Sequence, residues 1–148
     1  MIVRPTNNYG IGQYVEKLIP KSIKYLNIGR KIDLHDHGEP KRTWLHVEDT
    51  ARAVMTVIDH GKINEIYNIS GNLELPNRDV IKKILSLYPG NGAENRWQDY
   101  VTGSHRRGQD VRYAIDDSKL KSLGWKPIAD FDDELEKIMH YYTLNFIW

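Results

Sequence analysis

The sequence predicts an α/β fold. Short β-favouring runs alternate with longer segments whose apolar residues recur at helical spacing, Gly and Pro punctuate the joins, and no internal repeat or low-complexity tract breaks the order. At 148 residues, with 40% hydrophobic and 28% charged side chains, the chain suits a single domain with an ordinary core.

Ile2 to Arg4 reads as a strand closed by Pro5, and Thr6-Asn7-Asn8-Tyr9-Gly10 as the polar loop that follows it. From Tyr14, Val15, Leu18, Ile19, Ile23 and Leu26 recur at helical spacing and Gly29 stops them, with Pro20 imposing either a kink or a late start. Ile32 to His35 and Thr43 to Val47 are two short strands around the turn Asp36-His37-Gly38-Glu39-Pro40. Glu48 and Asp49 suit the positive end of a helix dipole, and Ala51, Val54, Met55 and Ile58 make an apolar stripe ending near Gly61. Ile66 to Ile69 is a strand entering the Ser70-Gly71-Asn72 loop. Asn77 is placed to cap a helix carrying Val80, Ile81, Ile84, Leu85 and Tyr88. The polar span 90–112 reads as loop with an edge strand near Tyr100-Val101. Asp116 is placed to cap a short helix, and a last helix from Asp130 carries Phe131, Leu135, Ile138, Met139 and Tyr142 on one face.

Composition narrows the chemistry. Lys and Arg number 21 against 20 Asp and Glu, so there is no general field for a polyanion, and neither nucleic acid nor membrane is expected as a partner. No apolar run approaches a membrane span, and the start lacks the pattern of a signal peptide, so a cytoplasmic protein is expected. With no Cys, disulfides, thiolate catalysis and cysteine metal sites are excluded. A dinucleotide site needs a glycine-rich strand-to-helix turn, and this sequence has neither G-x-G-x-x-G nor G-x-x-G-x-x-G, nor a Tyr-x-x-x-Lys pair. His35 and His37 have metal-ligand spacing but no evident third ligand. Arg106-Arg107, with His105 and Arg112, is the densest basic cluster, suited to phosphate or to a solvated loop. Trp97, Trp125 and Tyr113 could stack on a base, though aromatics beside helix ends more often pack in the core.

Six segments carry a resemblance: Arg4-Pro-Thr-Asn-Asn-Tyr-Gly10, Glu16-Lys-Leu-Ile-Pro20, Arg42-Thr-Trp-Leu-His-Val-Glu-Asp49, Tyr67-Asn-Ile-Ser-Gly71, Gly108-Gln-Asp-Val-Arg-Tyr-Ala-Ile-Asp116 and Leu123-Gly-Trp-Lys-Pro127. In order and spacing they resemble the nucleotide-sugar 4,6-dehydratases of the extended short-chain dehydrogenase/reductase superfamily, most closely those acting on dTDP-glucose. The resemblance covers the C-terminal, substrate-binding portion of that family, an incomplete Rossmann-type fold. It implies an NAD-dependent lyase that oxidises the hexose at C4, eliminates water across C5 and C6 and returns the hydride to C6. The glycine motif and the catalytic Tyr-x-x-x-Lys belong to the family's upstream part.

The resemblance implies roles residue by residue. Asn7 meets the hexose-phosphate end of the substrate and Asn8 the nicotinamide side. Lys17 and Leu18 match a substrate-loop pair, and Asp33, Leu34 and His35 match a strand running past the base. Arg42 matches an arginine on the pyrophosphate, and Asn77 and Arg106 two further groups around the nucleotide. Two departures, Ile11-Gly12 after Asn-Tyr-Gly and Arg106-Arg107-Gly108-Gln109-Asp110 where the family has Arg-Pro-Gly-His-Asp, leave the base and hexose open, and with them related epimerases and decarboxylases. The expectation is one substrate-binding domain over 1–148, with 1–8, 48–60 and 66–69 resembling pieces of the cofactor-domain sheet. It binds a nucleotide-sugar, does not hold NAD or turn over alone, and self-associates or pairs with a separate N-terminal cofactor-binding chain. The competing expectation is a non-catalytic binding or structural module.

Overall fold

The computed structural model describes residues 1–89, 92–105, 107–108 and 110–145. Its opening strand serves two sheets in turn. Ile2–Pro5 (β1) pairs in parallel with Ile66–Ile69 (β5), Ile2 opposite Ile66. Thr6 N–H still donates to Ile69 O at 2.9 Å, and the chain then continues as Asn7–Tyr9 (β2), parallel to Lys41–His46 (β4) with Asn7 opposite Trp44. The expected polar loop at 6–10 is therefore largely strand. Tyr9 is 3% exposed, and burying its ring while β4 satisfies the backbone outweighs the loop preference of the asparagines.

Between β2 and β4 lie Leu18–Asn27 (α1) and Ile32–His35 (β3). The helix takes the late start, with Pro20 in its first turn where a missing N–H costs nothing. The turn Asp36–Gly38 closes tightly: Gly38 has φ +74, and a Cβ there would sit 2.6 Å from Leu34 Cδ2 and 2.7 Å from the Arg78 nitrogen. After β4 come Val47–His60 (α2), β5, Leu73–Pro76 (β6), Asn77–Leu87 (α3), a 3₁₀ segment Ala93–Tyr100, Val101–Ser104 (β7), Arg112–Tyr113 (β8), Ser118–Lys121 (α4) and Phe131–Leu144 (α5). The sheet around β4 has β2 and β8 parallel and β6 antiparallel, and β3 pairs in parallel with β7. The strand expected near Val101 is present, whereas β6 and the 3₁₀ segment were not legible.

Two cores result. The larger one packs Ile19, Ile23 and Leu26 of α1 and Val80, Ile81, Ile84 and Leu85 of α3 against Phe131, Leu135, Ile138 and Met139 of α5, with Tyr9, Ile32, Leu34 and Trp44 from the strands. The smaller one joins Leu45, Ala53, Val57, Tyr67, Ile69, Leu120 and Trp125. Helix α2 buries its Asp49–Ala53–Val57 face, so Met55 and Ile58 of the expected stripe stand 56% and 57% exposed. Asp130 caps α5, accepting from Asp132 N–H and Asp133 N–H. Asp116 accepts from Ser118 N–H at 2.9 Å one position outside the cap. Asn77 is the first residue of α3 and its side chain makes no cap. Among the described residues no helix is long and apolar enough to cross a membrane.

Candidate functional site

A cleft of about 540 Å³ opens where β2, β3, β4 and the first turns of α1 and α3 converge. It gathers Asn7, Asn8, Lys17, Leu18, Asp33, His35, Arg42 and Asn77, together with Gln13, Glu16, Lys21 and Trp44. Strand alternation sorts β3: Ile32 and Leu34 enter the large core while Asp33 and His35 face the cleft. The Leu34 side chain, expected at the site, is thus buried at 2% exposure on the opposite face. Arg106 lies outside the described residues. Lys21 follows Lys17 by one helical turn and could have been read from that spacing; Trp44 shares a strand face with Arg42 for the same reason as the β3 pair. Glu16 opens one of the resembling segments but was given no role there, and Gln13 gave no signal in the sequence.

Several of these side chains are held by the fold. The Asn8 amide donates to Thr6 O at 2.9 Å and accepts from the Thr50 hydroxyl at 2.6 Å, which fixes which way it faces. Gln13 donates to Asn8 O at 2.6 Å, and the Tyr142 hydroxyl of α5 donates to Gln13 O at 2.6 Å, so the last helix anchors the loop beside β2. Burial pushes the Tyr142 phenol above its ordinary pKa, in keeping with this donor role. His35 Nδ1 lies 2.6 Å from Ser104 Oγ on β7. Arg42 Nη1 donates to Lys41 O and to Asp110 O at 2.7 and 2.9 Å, tying down the approach to β8 and leaving its other donors for a ligand. Lysines, an arginine and neutral amides in one half-open cleft suit a phosphorylated sugar.

A second cavity, about 350 Å³, lies by His46, Asp49 and Asp130. Its carboxylates are already engaged in holding the fold. Asp49, 2% exposed, accepts from Ile128 N–H and Ala129 N–H and pairs with Arg52; Asp130 caps α5; Asp132 pairs with Lys83. Tyr9 in its wall has its phenol pushed far above the ordinary value by burial first and the charge of Glu134 second, which unfits it as a base.

The chain matches known proteins along nearly its whole length. The NAD dependent epimerase/dehydratase family model matches residues 1–70. The low-salt glycan biosynthesis protein Agl12 of Haloferax volcanii is 39% identical over 142 residues, covering 96% of this chain and 44% of that protein. The dTDP-glucose 4,6-dehydratase of Escherichia coli is 39% identical over 155 residues, covering 100% and 43%. Among solved structures, DesIV, a dTDP-glucose 4,6-dehydratase from Streptomyces venezuelae with NAD bound, superposes with a TM-score of 0.88 at 34% identity, covering 97% and 44%. The chain therefore spans less than half the length of the relatives it matches. By sequence and by fold it is similar to a part of the dTDP-glucose 4,6-dehydratases, and its fold is that of a portion of an extended short-chain dehydrogenase/reductase.

Proposed function

We propose that the 540 Å³ cleft binds a nucleotide-sugar of the dTDP-glucose type, and that the chain is the C-terminal, substrate-gripping portion of an NAD-dependent sugar-nucleotide 4,6-dehydratase. The observation that carries this reading is convergence: residues scattered from Asn7 to Asn77, chosen from the sequence for this role, line one cleft. Asn7 serves the hexose-phosphate end, Lys17 and Leu18 the substrate loop, Asp33 and His35 the base, and Arg42 the pyrophosphate. Asn77 and Arg106 complete the nucleotide's surroundings. A guanidinium offers two parallel donors to phosphate where an ammonium offers a point charge. In calorimetry with dTDP-glucose, Arg42→Ala weakens binding by about 1.5–3 kcal/mol, the range for a hydrogen bond to a charged group, and Arg42→Lys does not restore it. Unchanged affinity in both variants overturns the pyrophosphate role.

The residues present do not make a site for a whole NAD. Beside Asn8, Gly10, Ile11, Gly12 and Val47 line a groove of about 150 Å³, too small for a dinucleotide, and the sequence has no glycine-rich turn for its pyrophosphate. Asn8 supplies a rim on the nicotinamide side. NAD supplies hydride acceptance when bound, and no step assigned to this chain passes through it. Incubated with dTDP-glucose and NAD, the 148-residue chain produces no 4-keto-6-deoxy sugar by mass spectrometry; turnover would falsify the division of labour. The exposed α2 face calls for cover by a second copy or a cofactor-binding chain, and a monodisperse monomer in light scattering at high concentration would remove that requirement.

A further inference from the structure

The loop that joins β2 to α1 brings Gln13, Glu16 and Lys17 to the cleft, yet every side chain from Ile11 to Lys17 is exposed or half-buried. Packing therefore does little to place it. At Gly12 the backbone takes φ +83 with open space where a Cβ would stand, so no neighbour fixes that turn either. Within the loop Lys17 N–H donates to Tyr14 O at 3.0 Å, while Gln13 N–H reaches Gly10 O only at 3.4 Å. A segment held so lightly by itself takes its position from what it is tied to.

The tie comes from the other end of the chain. The Tyr142 hydroxyl donates to Gln13 O at 2.6 Å, and the Gln13 amide donates onward to Asn8 O on β2, also at 2.6 Å. Tyr142 stands behind the loop rather than in the cleft wall, and its own place is set twice over. Helix α5 is seated in the large core through Leu135, Ile138 and Met139, and the Tyr142 ring packs on that core and edge-on to Tyr141, with centroids 5.1 Å apart. A rigid donor on α5 thus meets a loop that lacks a hold of its own.

We propose that Tyr142 is a positioning residue of the cleft: its hydroxyl latches the β2–α1 loop and so keeps Lys17 where it meets the ligand. This rests on the nucleotide-sugar reading, which gives Lys17 its ligand. Without the hydroxyl the loop leaves its binding arrangement part of the time, and apparent affinity falls by the fraction lost. The packing of the ring is a separate matter, and Tyr142→Phe retains it.

The test is calorimetry of the full chain with dTDP-glucose. One hydrogen bond sets the scale, so Tyr142→Phe weakens binding about three- to tenfold. The ¹⁵N order parameters of residues 12–17 drop in the same variant, while those of β3 and β4 hold. A double-mutant cycle separates a latch from general damage. Lys17→Ala costs less affinity in the Tyr142→Phe background than in the unaltered chain, because the loop has already withdrawn the lysine; Arg42→Ala, carried by β4, costs the same in both. Unchanged affinity, unchanged order parameters or an equal cost of Lys17→Ala in the two backgrounds overturns the latch and leaves the nucleotide-sugar reading standing. No binding of dTDP-glucose by the unaltered chain overturns both.

Discussion

The two halves of this molecule close their cores to different degrees. Around the large core α1, α3 and α5 all turn apolar faces inward, and Ile23, Val80, Ile81, Ile84, Leu85 and Leu135 have no exposed surface. Around β1 and β5 the cover is partial: α2 and the short α4 pack on them, while Met1, Ile2, Met55, Ile58, Ile63 and Ile66 stay at least 40% exposed. The cleft belongs to the closed half. A ligand site needs side chains whose positions are over-determined, and a sealed core behind β3 and β4 supplies that. The open half leaves its apolar side chains facing solvent, a contiguous patch larger than scattered surface residues make.

If the contrast is real, the largest single effect falls in the closed half. Ile84→Ala removes a fully buried side chain and costs about 2–5 kcal/mol in chemical denaturation; a loss under about 1 kcal/mol would mean that α3 packs loosely. Next comes the seam. Asp49→Ala strips the acceptor from Ile128 and Ala129 N–H and loses about 1–3 kcal/mol, because buried donors are left unpaired. On the open face, Met55→Ser with Ile58→Ser changes stability by no more than about 0.5 kcal/mol per site yet shifts light scattering toward smaller species. The smallest effect is acid. A side-chain hydrogen bond from Lys119 holds the Glu65 carboxyl below its ordinary pKa, and hydrogen bonds from Ser118 do the same for Asp116. A depressed carboxylate pKa means stability present above the unfolded value and lost as pH falls through the folded one. Acid therefore loosens the β5–α4 corner before the large core, to a small and salt-sensitive extent because both groups are exposed, and amide exchange at Ile66 to Ile69 reads it.

What was legible in the sequence follows the same division. Helices whose apolar residues repeat over three turns, α3 and α5, were read with their buried faces correct, since periodicity records a single packing direction. The α2 stripe was partly misdirected for the complementary reason: α2 carries apolar residues on two faces, and Ala53, Val57 and, of the expected stripe, Val54 meet the small core while Met55 and Ile58 face solvent. Strands β2 and β6 were missed because short polar or proline-bounded stretches become strands only when β4 offers them hydrogen bonds. In the cleft, residue types announced themselves while side-chain direction did not. Leu34 was grouped with Asp33 and His35 until the pleat separated them.

The partner switch at Thr6 bears on how the chain acquires its shape. Ile2 pairs with Ile66, Asn7 with Trp44, and Ile32 with Val101, so most of the sheet is parallel and joins distant stretches of sequence. Such topologies are slow, because loop closure must be met before the contacts that reward it. During synthesis at roughly 5–20 residues per second, β1 leaves the ribosome seconds before β5 exists to receive it. Through that interval the edge of this Ile-Val strand that β5 will pair stays open, an apolar edge of the kind that invites wrong pairing.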